Sequence, residues 1–523
     1  MRLRQSLADL RVPKCVRLGL ILFSLAGCQG SQTRALELAA QAEAQLQAGQ
    51  VAAARQSIDQ AIAERDDIAP LYVEKARIAL AQNLTAEAFT AYSNASALDT
   101  TNMEALQGIA QLGLAVGRLE EADAAADRIL VVLPSEPNAL FTKGMIKLST
   151  RQGDAAMRFA DNIVSASPRD PRGLILKART LFFLGKTQEA LSVLDQGTAG
   201  TTPEEAVTAT YLELHREQSN AAAMLTDFAA LAKARKDDPP RRLDEANLRY
   251  KINDMEGARR LVGGLLRSPT ITPAVLMRIV AIWKQYDQDP ISLGDAQKSA
   301  VFGTPLARIE TARYYLDLGK PSKTNDLLAG DKSADAEALR ARAILATRPD
   351  APLQDAVRAI LAADPTQCDA MLARAELALV RNDIPRAIAD AQQVIAECPG
   401  NAGGYRVLAK IHRVTKDKNA EFRAYDLALA NTPQDVLIAQ EYYARALALG
   451  DEKRAQATAR QITRSVPSWS PGWEMLASAC ARAGNQSCRA DSARRAALAR
   501  TAYTLDPLPG ETTFRGLLGR LQR

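Results

Sequence analysis

The stretch "NMEALQGIAQLGLAVGRLEEADAAADRILVVLPSEP", from Asn102 to Pro137, carries small residues on both sides of a central glycine. Ala110 and Ala122 flank the turn at Gly117, and alanine both favours helix and lets two helices approach closely. Glycine accepts a left-handed backbone at the turn, and Pro137 lacks the N–H that would continue the second segment. The stretch therefore predicts two antiparallel helices joined by a tight turn.

The same pattern recurs along the chain at a fixed 34-residue interval. The positions spaced by this interval from the turn are Gly49, Asn83, Gly117, Arg151 and Gly185. Four of these five residues tolerate a tight turn. Small residues recur on either side of these turns at Ala42, Ala76, Ala110, Gly144 and Ala178, and at Ala54, Ala88, Ala122, Ala156 and Ala190. A second block places prolines at Pro365, Pro399, Pro433 and Pro467 and turns at Asn382, Lys416, Gly450 and Gly484. One helix pair cannot bury its own apolar face, so the pairs are expected to stack.

This spacing resembles that of the tetratricopeptide repeat family. The resemblance implies an all-α solenoid, a right-handed superhelix of antiparallel helix pairs. The 523 residues are 47% hydrophobic but only 5% aromatic, which fits an alanine-rich helical chain. Larger residues at three small positions, Glu421, Tyr443 and Arg489, predict local distortion of their repeats.

We divide the chain into six segments by this register. They are a leader (1–27), a short tether (28–34), an N-terminal repeat block (35–197), degenerate helical repeats (198–365), a C-terminal repeat block (366–502) and a terminal helix (503–523). The two regular blocks are out of phase, which leaves a bend or a domain break between them open. The terminal helix carries an apolar stripe, which fits a cap on the last repeat or a docking helix for a partner or anionic lipid.

The leader has an apolar run of ten residues (18–27) after a basic segment, which is too short to span a membrane and typical of a secretory signal. Leu25-Ala26-Gly27-Cys28 resembles the lipobox of bacterial lipoproteins. That resemblance implies cleavage before Cys28, its lipidation, and, with Gln29 next, the periplasmic face of the outer membrane. The alternative is an ordinary signal peptide with an incidental cysteine.

The net charge of +6 does not indicate a nucleic-acid partner, because residues 1–27 alone contribute +4 of it. Four cysteines remain after the leader and Cys28. The repeat register brings Cys368 near Cys398 and Cys480 near Cys488, and disulfides at these pairs suit an oxidising periplasm. The alternative is four buried free thiols.

No catalytic constellation, metal-ligand spacing or cofactor motif is found in the sequence, and the two histidines, His215 and His412, lie in different blocks. We therefore expect neither an enzyme nor a bound metal or cofactor. The register places polar residues on the inner wall of the stack, at Arg77, Gln107, Gln111, Arg172, Arg179, Arg406, Lys410 and Arg413. These side chains are candidates for binding an acidic peptide or an anionic polysaccharide, the alternative being an ordinary solvated face.

The resemblance implies a lipid-anchored scaffold that binds other envelope proteins through its concave face. Tetratricopeptide lipoproteins of exopolysaccharide synthesis and export systems, including PEP-CTERM systems, have this arrangement. One alternative is a pilotin-like assembly lipoprotein for a type IV or tight-adherence pilus or its secretin. A further alternative is a carbohydrate-binding or regulatory module acting on a periplasmic enzyme.

Overall fold

The computed structural model describes the backbone of residues 14–234, 238–291 and 301–501, and the side chains within these ranges from residue 30 onward. The described residues form helices and no strand, as the sequence predicts. They divide into two compact units between Leu214 and His215, within one helix. The predicted terminal helix (503–523), residues 1–13 and the side chain of Cys28 lie outside the described residues.

The first unit is built from paired helices of similar length. They are α1 (Lys14–Gln47), α2 (Val51–Glu64), α3 (Ala69–Ala81), α4 (Thr85–Leu98), α5 (Met103–Val116), α6 (Leu119–Val132), α7 (Pro137–Ser149), α8 (Gly153–Ala166), α9 (Pro171–Phe183), α10 (Thr187–Thr198) and α11 (Glu205–Glu217). One helix, α1, runs continuously across the predicted cleavage position before Cys28.

The second unit, from His215 onward, continues the pairing. It contains α12 (Ala221–Ala234), α13 (Pro239–Lys251), α14 (Met255–Leu266), α15 (Pro273–Tyr286), α16 (Pro305–Asp317), α17 (Pro321–Leu327), α18 (Ala334–Thr347), α19 (Gln354–Ala363), α20 (Cys368–Val380), α21 (Ile384–Glu397), α22 (Ala402–Val414), α23 (Lys418–Asn431), α24 (Val436–Ala448), α25 (Glu452–Ser465), α26 (Ser470–Arg482) and α27 (Gln486–Thr501).

The small residues of the repeat pattern lie where paired helices cross. Ala76 and Ala88 are completely buried at the crossing of α3 and α4, and Ala178 and Ala190 occupy the equivalent places in α9 and α10. Gly144 of α7 lies instead against the next first helix: an added Cβ would be 2.3 Å from Cδ2 of Leu176 on α9, so the contact between these two helices leaves little room for a side chain. The turns have positive φ at each predicted position, for example 78° at Gly117 and 61° at Arg151.

The regular repeat interval continues into the segment that the sequence predicts to be degenerate. First helices begin at Pro171, Glu205, Pro239 and Pro273, which are evenly spaced at that interval, and Ser219 and Asn253 have the left-handed turn backbone. The starts of the first helices depart from this interval only after Pro273, because α16 and α18 both begin earlier than the interval requires. Helix α17 has 7 residues where α21 has 14, which accounts for most of the shift.

Candidate partner-binding surfaces

The first helix of each pair lies on the inner side of the curve within each unit. Successive first helices pack against each other, as α5 does with α7 and α7 with α9, whereas second helices of the described residues do not do so to a comparable extent. We call the surface of these first helices that is turned away from the second helices the first-helix face. The candidate polar residues of the inner wall belong to it.

Arg77 on this face is held by acidic side chains of the first unit. Its Nη2 lies 2.6 Å from Oε2 of Glu104, one repeat along, and its Nη1 lies 3.1 Å from Oε2 of Glu74. The hydrogen bond to Glu104 is the largest cause of a raised pKa of Arg77. Burial raises the pKa of the Glu74 carboxyl despite the neighbouring guanidinium.

The remaining polar residues of this face in the first unit form links between successive first helices. Asn138 Oδ1 accepts hydrogen bonds from Arg172 Nη1 at 2.9 Å and from Gln111 Nε2 at 3.4 Å. Arg172 also pairs with Asp170, the N-cap residue of α9, at 2.6 Å. Gln111 remains exposed, whereas Gln107 is half-buried.

Arg179 is the most enclosed of the candidate arginines in this unit. Its Nη2 lies 3.0 Å from Oε2 of Glu213 on α11, and the two side chains are 20% and 8% exposed. All three candidate arginines of the first unit therefore have a carboxylate partner within the unit, and their predicted binding of an anion stays a prediction.

In the second unit, Arg406 lies inside a group of charged residues rather than on an open wall. Its guanidinium is 2.9 Å from Asp317 of α16 and 2.8 Å from Glu441 of α24. Only 16% of its side chain is exposed. Arg406 thus joins first helices that lie on both sides of its own in the sequence.

Arg413 and Lys410 lie on the same helix as Arg406 but differ in environment. Arg413 is 2.8 Å from Glu421, which also takes Arg445 at 2.8 Å, and the Glu421 side chain is 1% exposed. The distortion predicted from Glu421 at a small position is absent from the helix bounds, because α22 and α23 keep 13 and 14 residues and two arginines compensate the buried carboxylate. Lys410 is exposed.

Ion pairs cross the first-helix face of the second unit between repeats that are far apart in the sequence. Lys284 Nζ of α15 lies 2.5 Å from Oδ2 of Asp435 and 3.6 Å from Oδ2 of Asp317, with side-chain exposures of 11%, 6% and 12%. A second long-range contact joins the end of α13 to the residues before α26, where Lys251 Nζ donates to the carbonyl oxygen of Ser468 at 3.3 Å. The inner side of this unit is therefore bridged, because α15 meets α24 directly.

A second buried group lies beside these pairs. Asp369 is 1% exposed and accepts from Arg313 at 2.6 Å and from Arg342 at 2.7 Å. Burial alone would raise the pKa of Asp369, but the two guanidinium groups outweigh it and lower that pKa to about 2. Neighbouring Glu376 has the opposite behaviour: burial raises its pKa, and the charges of Arg342 and Lys410 oppose this only in part.

Both predicted cysteine pairs are bonded in the structure. Cys368 is joined to Cys398 with a Cα–Cα distance of 6.7 Å, and Cys480 to Cys488 with 5.7 Å. The first bond ties the start of α20 to the end of its partner helix, and the second links α26 with α27 across their turn.

The two histidines lie in separate, partly buried environments. His215 Nδ1 lies 2.7 Å from Oδ2 of Asp227 in a half-buried pair, while burial lowers the pKa of His412. Within the described part of the chain, no cluster of three or more histidine, cysteine, aspartate or glutamate side chains is placed to hold a metal ion. None of the described helices is both long and apolar enough to cross a membrane.

The repeat geometry decides the fold. Helix pairs such as α7 and α8, of 13 and 14 residues, recur at a regular interval, cross at alanine or glycine and turn through a left-handed residue. The fold is that of the tetratricopeptide-repeat proteins.

Comparisons with known proteins are limited to distant similarity. No protein-family model and no curated protein matches the sequence. The chain is similar to a solved tetratricopeptide repeat protein from Parabacteroides merdae, with 16% identity and a TM-score of 0.37 over 44% of this chain and 91% of that one. It is also similar to PilF of Pseudomonas aeruginosa (15% identity, TM-score 0.30, 40% and 95% covered) and to PilW, a type IV pilus biogenesis factor (16%, 0.32, 38% and 92%). Similarity at this level carries no argument about partners.

Proposed function

We propose that this protein is a non-enzymatic scaffold that is held by lipid at Cys28 on the periplasmic face of a bacterial outer membrane. In this proposal it binds other proteins of an envelope assembly, such as one for exopolysaccharide synthesis and export. The observation that carries the proposal is the pair of disulfides, Cys368–Cys398 and Cys480–Cys488, within a helical repeat scaffold. Structural disulfides persist in oxidising compartments and are rare in the cytosol, which agrees with the secretory leader.

The binding role is assigned to the first-helix face of the first unit. Among the described residues, the contacts of its candidate arginines lie within one first helix or its cap, or join neighbouring first helices, and exposed groups such as Gln111 and Leu80 remain accessible. In the second unit, ion pairs such as Lys284–Asp435 already bridge the corresponding face. A partner segment that lies along first helices is therefore expected to engage the first unit.

The anchor is tested by the mass of the amino-terminal peptide after expression of the full chain in a bacterium with an outer membrane. We expect cleavage before Cys28, a mass increment corresponding to acyl chains, and recovery in the outer-membrane fraction. Cys28→Ser is the matched control and should abolish both the acyl mass increment and the recovery in the outer-membrane fraction. An unmodified Cys28 peptide from the wild-type chain would overturn the anchor.

The binding role is tested by photo-crosslinking from Gln111 in living cells. A crosslinker at the exposed residue Glu120, on the second helix of the same repeat, serves as the control. We expect Gln111, and not Glu120, to capture a discrete envelope protein. Capture of polysaccharide-export proteins supports the assembly proposed here, capture of a pilus secretin supports the pilotin alternative, and equal labelling from both positions would overturn the assignment of the face.

A further inference from the structure

A cleft of about 540 Å³ lies between α19, α20 and α21 of the second unit, away from the bridged first-helix face. Its floor is aliphatic and includes Val357, Leu361 and Leu377, whose exposures are 2%, 8% and 5%. Its rim carries four arginines: Arg358, Arg374, Arg381 and Arg386. Such a combination of an apolar floor with a few convergent polar groups is typical of a binding site.

The cleft exists because α19 is a shortened second helix. It has 10 residues, whereas the second helix of the next pair, α21, has 14. Pro349 and Pro352 precede α19 in the sequence, and a proline disfavours helical backbone at the residue before it, here Arg348 and Ala351. A second helix of full length is expected to fill this space.

The other walls of the cleft are held in place. The disulfide Cys368–Cys398 joins the ends of α20 and α21. At the cleft itself, Arg374 of α20 donates two hydrogen bonds of 2.8 Å to Asp390 of α21. A site that is already fixed before binding loses less conformational entropy when a ligand arrives.

The rim has more positive than negative charge. Arg374 and Arg386 share a single carboxylate, Asp390, at 2.8 and 3.3 Å. Arg358 pairs with Asp355 at 3.3 Å, but both side chains are more than three-quarters exposed, so the pair is weak. Arg381 is exposed and has no acidic partner among the described residues. The acidic lining residue, Asp383, already accepts the backbone N–H of Arg386 as the N-cap of α21.

We propose that this cleft binds an acidic peptide segment of a partner protein. A carboxylate of the segment pairs with Arg381 and Arg358, and an adjacent branched aliphatic side chain packs on Leu361 and Leu377. Arginine binds carboxylates in a bidentate manner, and burial of the aliphatic group adds apolar contact. A polyanionic glycan supplies the charge but has no such side chain for the floor. The inference rests on the proposed binding role and does not require the lipid anchor.

The test uses the purified full chain and a fluorescein-labelled, end-capped peptide in which aspartate and leucine alternate. Fluorescence anisotropy measures its affinity, and an asparagine–leucine peptide of the same length is the control ligand. We expect the acidic peptide to bind at least tenfold more tightly than the amide peptide, and binding to weaken as salt is added. Equal binding of the two peptides, or none, would overturn the proposal.

Two exposed positions locate the binding within the chain. Arg381→Glu should weaken the acidic peptide at least tenfold, and Ala362→Glu, which places a carboxylate in the mouth of the cleft, should do the same. Arg460→Ala, on an exposed position of α25, is the matched control and should change affinity less than twofold. Alginate is added as a competitor. If alginate alone binds in an Arg381-dependent manner, the peptide proposal fails.

These results are separable from those that test the scaffold. An unlipidated Cys28 or an uninformative crosslink at Gln111 leaves the peptide titration unaffected. Conversely, loss of peptide binding at the cleft leaves a scaffold that acts through the first unit intact.

Discussion

The ammonium group of Lys284 lies 2.5 Å from the carboxylate of Asp435, which belongs to a repeat much further along the chain. The two residues lie in repeats that are not neighbours in the stack, so their contact depends on the curvature accumulated over the repeats between them. Both side chains are nearly buried, which makes the pair costly to break. This ion pair therefore bridges the inner side of the second unit.

Lys284→Met should destabilise the second unit by roughly 3–5 kcal/mol, because it leaves the charge of Asp435 buried without its partner. All three tryptophans (Trp283, Trp469 and Trp473) lie in this unit, so denaturant unfolding followed by their fluorescence reports on it. Adding Asp435→Asn should recover part of the loss, since asparagine still caps α24 but carries no charge.

The control for this pair is Arg494→Ala. Arg494 pairs with Asp491 on the surface, with both side chains well exposed, and the change should cost less than about 1 kcal/mol. A loss for Lys284→Met no larger than for this control would show that the bridge does not hold the unit together.

Glu376→Gln should stabilise the protein at neutral pH. Burial raises the pKa of Glu376 above its ordinary value of 4.5, so folding disfavours the ionised form. The loss of folding stability caused by the buried Glu376 carboxylate is absent below pH 4.5 and grows as the pH rises through the folded-state pKa. The midpoint of thermal unfolding should therefore be higher for the variant at neutral pH and converge with the wild type in acid, below the ordinary pKa. A difference that persists in acid would point to lost packing or hydrogen bonding instead.

Gly144→Ala should destabilise the first unit by about 1–3 kcal/mol, because the added Cβ would lie 2.3 Å from Cδ2 of Leu176. Gly264→Ala is the matched control in a helix, since nothing lies within 4 Å of its added Cβ. There the better helix propensity of alanine should stabilise by up to about 1 kcal/mol. Denaturation followed by far-ultraviolet circular dichroism measures both. A neutral Gly144→Ala would mean that Leu176 moves aside without cost.

The repeat architecture could be predicted because it depends on local residues. Gly117 and the buried alanines specify the turn and the crossing within one repeat, and equivalent residues reappear in the next repeat. The same 34-residue spacing extends to Ser219 and Asn253, which the sequence pattern did not reveal because the phase changes further on.

One polar signal in the sequence was also missed. A lysine on a first helix pairs with an aspartate of the preceding second helix, and this arrangement recurs at equivalent positions of several repeats. The pairs are Lys75–Asp59 at 2.7 Å, Lys143–Asp127 at 2.8 Å and Lys177–Asp161 at 2.8 Å. In the next repeat Tyr211 donates to Asp195 at 2.8 Å.

The bridging ion pairs and the arginine-rimmed cleft could not be predicted in the same way. Contacts such as Arg406–Asp317 depend on the small rotation that each repeat adds, which no single repeat encodes. The register predicts Arg406 on an open wall because it gives the face of a helix but not what lies opposite. The cleft depends on the shortening of α19, which the irregular phase of that region concealed.

The two disulfides are expected to stabilise the second unit unequally. In the loop-entropy description, closing the 30-residue separation of Cys368–Cys398 contributes about 3.5 kcal/mol and the 8-residue separation of Cys480–Cys488 about 2.5 kcal/mol. Cys368→Ala with Cys398→Ala should therefore lower the denaturation midpoint, followed by tryptophan fluorescence, more than Cys480→Ala with Cys488→Ala. The wild type in reducing agent should match the variant that lacks all four cysteines. A wild type whose midpoint is insensitive to reduction would show that these cysteines are not bonded in the purified protein.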